Sequence, residues 1–284
     1  MTAPSLAAAD RDVAADLAAI GETLAGVERL GVAFSGGVDS SVLLAAAVRV
    51  LGADRVLAVL GVSPSLATEE RAAAHQVAAF IGVPVVEVET REGDRPEYRA
   101  NGADRCFFCK DQLFTQISGE VVAAHRLDAV AYGENADDAK RPDRPGAQAA
   151  TDHRVLRPLA DVGLDKAAVR ALARAWQLPC ADKPAAPCLA SRIPHGEEVT
   201  PEKLAQIDRA EAALHRLGFA DGRVRHHGEI ARLELSADDL VRAATEPTRT
   251  ALRRAVLDAG FRWVTVDLAG MQSGAFTLTV LDRR

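Results

Sequence analysis

The sequence predicts an α/β fold: a domain built on a parallel sheet, followed by a smaller α+β domain. Three observations carry this. Strand-length apolar runs alternate with helix-length stretches through the first part of the chain, the signature of a parallel sheet covered by helices. A turn with two adjacent glycines joins the first strand to the helix after it. The stretch Leu178–Glu198 holds Pro179, Pro184, Pro187 and Pro194, too irregular for an ordinary connection, and beyond it strands and helices follow in a different order. A length of 284 residues suits two domains, which we set at 1–185 and 199–284.

Each element has a local reason. Val13, Leu17, Ile20 and Leu24 recur at helical spacing, predicting a lead-in helix that ends near Gly26. Gly31–Phe34 reads as a buried strand, Ser35–Ser41 as the turn and Val42–Leu51 as a helix. Arg55–Val62 is a second strand, Ala67–Ile81 a helix closed by Gly82, and Val83–Val88 a third strand. A polar region, Arg91–Arg105, leads to Cys106-Phe107-Phe108-Cys109 and a helix through Ala124, then a short strand Ala129–Tyr132; Asp165 caps a helix to Gln177. Thr200-Pro201 starts the next helix, with Leu204, Ile207, Leu214 and Leu217 on one face and Gly218 at its end. Strands follow at Arg223–His226, Ile230–Leu235, Trp263–Leu268 and Phe276–Leu281, with helical material between Asp238 and Ala259.

Composition narrows the class. With 48% hydrophobic and 26% charged residues the chain is neither disordered nor membrane-spanning. Its longest apolar runs, such as Val42–Val48, fall short of the roughly 18 residues a bilayer requires. The acidic start of the chain does not read as a secretory leader, so a cytoplasmic protein is expected. Lys plus Arg is 34 against 40 Asp plus Glu, net −6, which predicts no nucleic-acid surface and a small-molecule partner. Four cysteines in a chain of this length are not a disulfide framework, and their spacing matters more than their number.

The strongest chemical signal is Ser35-Gly36-Gly37-Val38-Asp39-Ser40 between a strand and a helix. Two glycines let backbone N–H groups approach phosphate oxygens, the serines add donors, and the helix N-terminus favours negative charge. A Walker loop requires a lysine, and this turn has none, which disfavours kinase or GTPase chemistry. The string resembles the pyrophosphate loop of the PP-loop ATP pyrophosphatases. That resemblance implies cleavage of ATP to AMP and pyrophosphate, with adenylation of a substrate oxygen, on a PP-loop domain of the adenine nucleotide alpha hydrolase-like type.

Three further strings narrow the resemblance: Arg105-Cys106-Phe107-Phe108-Cys109-Lys110, Gly133-Glu134-Asn135-Ala136-Asp137-Asp138, and Lys183-Pro184-Ala185-Ala186-Pro187-Cys188-Leu189-Ala190-Ser191-Arg192-Ile193-Pro194. Together with SGGVDS they resemble the ATP-dependent sulfur transferases of nickel-pincer nucleotide biosynthesis, the LarE family, from about Val32 to about Leu235. The resemblance implies conversion of the carboxylates of pyridinium-3,5-biscarboxylic acid mononucleotide to thiocarboxylates, with Cys188 at the sulfur-bearing position. In single-cysteine relatives that cysteine gives up its own sulfur and becomes dehydroalanine. The added pair Cys106 and Cys109 resembles the three-cysteine branch, which implies a four-iron four-sulfur cluster on Cys106, Cys109 and Cys188 carrying an extra sulfide. Read alone, the pair equally suits zinc, a redox couple or two buried thiols. Cys180 matches no motif.

Arg223-Val224-Arg225 places two guanidinium groups on one face of a strand, where they could grip a phosphate dianion or simply face solvent. The resemblance assigns them to the substrate phosphate; Arg192, beside Cys188, has a similar case, and Glu211 and Glu234 could complete a polar site or stand as unpaired surface carboxylates. Asp137 and Asp138 after the short strand are candidate magnesium ligands, with helix capping as the alternative. Adjacent His226 and His227 point to opposite faces and read as structural. Expected partners are ATP, magnesium, a sulfide or sulfur-donor protein and further copies of the chain as a homo-oligomer. Two rivals stand at this point: a cluster-dependent PP-loop tRNA thiolase, which should show a basic surface, and a nonenzymatic nucleotide sensor, which would release no pyrophosphate.

Overall fold

A computed structural model describes residues 12–140 and 145–271. They form two compact units. One takes the described residues up to Ser63, then Glu70–Arg91 and Cys106–Ala186; the other takes Pro64–Glu69, Glu92–Arg105 and the described residues from Pro187 onward.

The first unit opens with α1 (Val13–Thr23), whose N-cap Asp12 accepts from the Ala14 and Ala15 N–H groups. Then come β1 (Leu30–Ala33), α2 (Val38–Leu51), β2 (Val56–Val62), α3 (Thr68–Ile81) and β3 (Val85–Glu89). The short helix α4 (Pro96–Arg99) belongs to the second unit; back in the first, the helix α5 (Arg105–Gln116) runs through a π-helical turn (Ile117–Val121) into α6 (Val122–His125). The strand β4 (Ala129–Tyr132) precedes α7 (Ala136–Ala139), α8 (Pro145–Asp152), α9 (Pro158–Asp161) and α10 (Lys166–Ala175). The sheet order is β3-β2-β1-β4 and every pairing is parallel. Leu30, Val32, Val56, Ala58 and Val59 are buried in it, as a sheet covered on both faces requires.

This order places the site. The chain runs outward from β1 to β2 and β3 on one side, whereas β4 lies on the other, so the topology switches between β1 and β4. Open α/β sheets hold ligands in the crevice beyond the carboxyl ends of strands at such a point. The SGGVDS string follows β1 and the GENADD string follows β4. One expectation is corrected here: α2 begins at Val38, not Val42, because Val38, Asp39 and Ser40 already form its first turn.

In the second unit α11 (Pro201–Arg216) has Thr200 as N-cap, its side chain accepting from the Lys203 N–H. The strands β5 (Arg223–His227) and β6 (Ile230–Glu234) pair antiparallel. After α12 (Ala237–Ala244) and α13 (Thr248–Asp258), β7 (Trp263–Val266) adds parallel to β6. Leu214, Phe219, Val224, Leu233, Leu252, Val256 and Phe261 fill the core between sheet and helices. The expected strand Phe276–Leu281 lies outside the described residues. Among the described residues no helix is long and apolar enough to cross a membrane.

The proline-rich stretch is not a bare connection from Pro187 onward. Asn101, buried with a left-handed φ of 55°, donates through its side-chain amide to the carbonyls of Ile193, Pro194 and Glu197. Buried Arg105 donates to the Ala190 carbonyl at 2.9 Å. Satisfying these carbonyls internally is what lets an irregular segment be buried.

Candidate functional site

In the first unit the loop after β1 is held by its own hydroxyls. Ser40 Oγ donates to the Gly37 carbonyl at 3.1 Å, Ser41 Oγ to the same carbonyl at 2.8 Å, and Ser40 Oγ accepts from the Ser35 N–H at 3.3 Å. The glycines divide by role. Gly36 has φ +72°, and a Cβ there would lie 2.7 Å from Ala74 Cα, so the fold itself demands glycine. A Cβ on Gly133 would lie 2.5 Å from the Ser40 N atom, so the GENADD loop packs backbone to backbone against the start of α2. Gly37 is different: its φ is −75°, and a Cβ would meet only Ser35 Oγ at 3.4 Å. Among the described residues nothing requires glycine at 37. Its bare face suits close approach by a phosphate, which a side chain would block.

The carboxylates around the loop are linked to one another. Asn135 caps α7 by accepting from the Asp138 N–H at 3.0 Å, and its amide donates to Asp39 Oδ1 at 3.2 Å and Asp138 Oδ2 at 3.0 Å. Asp137 accepts from the Lys166 N–H at 3.0 Å, so it serves the start of α10, the capping alternative. The Lys166 ammonium bonds to Asp39. The loop's own string holds no lysine, and this one comes from 127 positions away.

In the second unit Cys188 is half-buried and precedes the short 3-10 turn Leu189–Arg192. Paired charges hold this turn in place. Arg192 forks onto Glu211 at 2.9 and 3.1 Å and donates to the Pro187 carbonyl at 2.8 Å. Glu211 also accepts from the Val224 N–H on β5. Arg225 donates to the Ser191 carbonyl at 2.9 Å and to Glu234 at 2.7 Å, while Arg232 reaches the other oxygen of Glu234 at 3.3 Å. Arg225 is only 3% exposed and Glu234 0%, so the solvent-facing alternative for Arg225 is wrong, as is the picture of unpaired surface carboxylates. Burial holds the half-buried Arg223 guanidinium below its ordinary value, and the nearby Arg192 and Arg225 charges add to this. Arg192, Arg223, Arg225 and Arg232 thus gather four positive charges against three on Glu211, Glu234 and Asp267. The surplus suits an anion.

The cluster expectation meets a different outcome. Cys106 and Cys109 lie one turn apart on α5 in the first unit, exposed and half-exposed, whereas Cys188 belongs to the second. Among the described residues no three His, Cys, Asp or Glu side chains gather as metal ligands. Neither the expected cluster on Cys106, Cys109 and Cys188 nor a closed magnesium site on Asp137 and Asp138 is therefore shown among the described residues. Cys180 is a buried thiol. Burial pushes His226 down to about 4, and its ring contacts Gln206 at 3.2 Å and Phe261, the structural role expected of it.

A family model described as asparagine synthase matches residues 17–116, which span β1, the SGGVDS loop and the first three strands. An uncharacterized protein of Synechocystis is 41% identical over 248 residues, 87% of this chain and 91% of that one. The pyridinium-3,5-bisthiocarboxylic acid mononucleotide synthase of Lactiplantibacillus plantarum is 32% identical over 254 residues, 89% of this chain and 91% of the synthase. The chain belongs to the family of that synthase. An uncharacterized protein of Methanocaldococcus jannaschii is 29% identical over 168 residues, 59% of this chain. Membership makes the chain a PP-loop ATP-utilising enzyme of the sulfur- or adenylyl-transfer kind.

The site yields one prediction at once. Replacing Arg225 by Ala strands Glu234 in the core with only Arg232, and breaking a buried pair costs about 3–5 kcal/mol. A large fall in melting temperature is expected for Arg225→Ala, while Arg223→Ala should fold normally. Equal melting temperatures would show that the buried pair does not hold this sheet. Arg223 is therefore the cleaner probe of phosphate binding.

Proposed function

We propose that the chain is an ATP-dependent sulfurtransferase that adenylates a carboxylate of pyridinium-3,5-biscarboxylic acid mononucleotide and replaces it with a thiocarboxylate. The observation that carries this reading is that three guanidinium groups gather at the turn after Cys188: Arg192 lies on that turn, Arg225 on β5 donates to its Ser191 carbonyl, and Arg223 on β5 lies near both. A thiol beside an anion clamp suits a substrate that carries its own phosphate. The synthase relative is named for a product with two thiocarboxylates on such a nucleotide.

A carboxylate does not yield to a sulfur nucleophile, because its leaving group would be oxide. Its oxygen attacks the α-phosphorus of ATP held by Ser35, Gly36, Gly37, Val38, Asp39 and Ser40, and pyrophosphate leaves. The acyl adenylate then offers AMP as leaving group. In one route the Cys188 thiolate attacks the acyl carbon, AMP departs, and loss of the Cα proton with cleavage of the Cys188 Cβ–S bond frees the thiocarboxylate and leaves dehydroalanine. In the other, supplied hydrosulfide attacks beside Cys188, displaces AMP and leaves the chain intact. Arg223 and Arg225 orient the substrate through its phosphate, and Glu211 and Glu234 hold Arg192 and Arg225 in place. Asp39 and Asp138, joined through the Asn135 amide, would be the carboxylates offered to the magnesium that accompanies the nucleotide. No step here passes through a cluster on Cys106 and Cys109.

The test is to mix the protein with magnesium, ATP and the pyridinium dicarboxylate mononucleotide, with sulfide supplied. AMP, pyrophosphate and a product with one oxygen exchanged for sulfur are expected. Pyrophosphate released only with tRNA would favour the thiolase, and none with either substrate would favour a sensor.

A further inference from the structure

The backbone around Cys188 is held by groups from several segments of the second unit. The Pro187 carbonyl accepts from Arg192, the Ser191 carbonyl from Arg225 and the Ala190 carbonyl from Arg105. A fourth contact acts next to the thiol. The N–H of Leu189, the residue after Cys188, donates to the Ser65 carbonyl at 2.9 Å. Ser65 lies in the turn after β2, and its own hydroxyl donates to Glu92 Oε1 at 2.8 Å. Glu92 opens the short 3-10 turn Glu92–Asp94 that follows β3. Three stretches of chain, at 65, 92 and 189, therefore meet in one line of hydrogen bonds that ends beside Cys188.

The line is buried. Ser65 is 5% exposed, Glu92 2% and Leu189 1%. Taking a carboxylate out of water costs free energy that an apolar side chain in the same place would not. What the carboxylate supplies is an acceptor stronger than any neutral group, which holds the Ser65 hydroxyl in one direction and so the carbonyl of the same residue in one place. The Leu189 N–H is then fixed without calling on Arg225, whose charge the substrate phosphate draws on.

We propose that Glu92, acting through Ser65, is a positioning residue for Cys188. This rests on the reading of Cys188 as the place of sulfur delivery. The Glu92 carboxylate holds the Ser65 hydroxyl, the Ser65 carbonyl holds the Leu189 N–H, and the thiol one residue before is kept aimed in a single direction. Neither Glu92 nor Ser65 touches the substrate, and neither exchanges a proton in the reaction.

The test compares wild type with Glu92→Ala, Glu92→Gln and Ser65→Ala in the full chain. Each is assayed for pyrophosphate release, for thiocarboxylate formation and for iodoacetamide labelling of each cysteine, read by peptide mass. Glu92→Ala and Ser65→Ala should slow thiocarboxylate formation by about 10- to 100-fold while pyrophosphate release stays within about threefold of wild type. Labelling of half-buried Cys188 should quicken by about threefold or more as its turn loosens, with buried Cys180 still protected. Glu92→Gln keeps an acceptor for the Ser65 hydroxyl and should restore part of both. Cys180 and Cys188 labelling that rise together would make Glu92 a structural residue and overturn the proposal, as would wild-type values in Glu92→Ala; wild-type values in Ser65→Ala alone would overturn the route through Ser65. A wild-type protein that forms no thiocarboxylate overturns the sulfurtransferase reading, and selective labelling of Cys188 in the variants then decides by itself whether Glu92 positions the thiol. If Glu92→Ala does not fold, Ser65→Ala carries the same comparison; failure of both to fold would assign the pair to stability and overturn the proposal.

Discussion

Gly37→Val should abolish AMP and pyrophosphate formation in a protein that remains folded. Residue 37 has a φ of −75°, which any residue adopts, and a Cβ there would meet only Ser35 Oγ at 3.4 Å. Valine at this helix N-cap costs on the order of 1 kcal/mol, little enough for the fold to persist. The same branched side chain would occupy the space a phosphate needs to reach the backbone N–H groups, so a fall on the order of 100-fold or more in pyrophosphate release is expected. Gly36→Ala is the contrast. With φ +72° and Ala74 Cα 2.7 Å from the new Cβ, it should lower the melting temperature before any question of chemistry arises. Undiminished pyrophosphate release by folded Gly37→Val would reject the loop as the ATP site.

Cys188→Ala should separate the two halves of the reaction. The thiol is half-buried at the start of a short turn, and the neighbours that hold that turn, Arg192 on Glu211 and Arg225 on the Ser191 carbonyl, do not depend on it. Adenylation should therefore continue, with AMP and pyrophosphate formed on mixing with substrate, while thiocarboxylate product disappears. Loss of both halves together would move Cys188 from sulfur delivery to ATP or substrate binding. Intact-mass measurement of the wild-type protein after turnover identifies the donor. A chain lighter by hydrogen sulfide shows that the cysteine's own sulfur was spent, leaving dehydroalanine. An unchanged chain with continued turnover on added sulfide, and iron in anaerobically purified protein, shows that the sulfur arrives from outside Cys188.

Strand β4 was legible to the residue, and the caps Asp165 and Thr200 behave as their sequence context predicts. These features are local: hydrophobic period, cap and glycine act within a few positions of the chain. The SGGVDS string stood out for the same reason, since the phosphate cradle proposed for it would be built from consecutive backbone N–H groups. The start of α2 was misplaced because Val38, Asp39 and Ser40 serve the loop and the first helical turn at once. Asn101 and Arg105 gave no signal in sequence: their importance lies in carbonyls 92, 93 and 96 positions away for Asn101, and 85 for Arg105.

The charged residues divide along the same line. Arg223 and Arg225 could be placed on one strand face from alternation alone, yet whether that face meets solvent or the core depends on what packs over it. Only the folded chain buries Arg225 against Glu234 and ties Arg192 to Glu211, because ion pairing is decided by distance in space and by desolvation. Lys166 is the clearest case. Its immediate sequence predicts a helix start and nothing more, and the parallel sheet, by setting the ends of β1 and β4 side by side, brings it to Asp39.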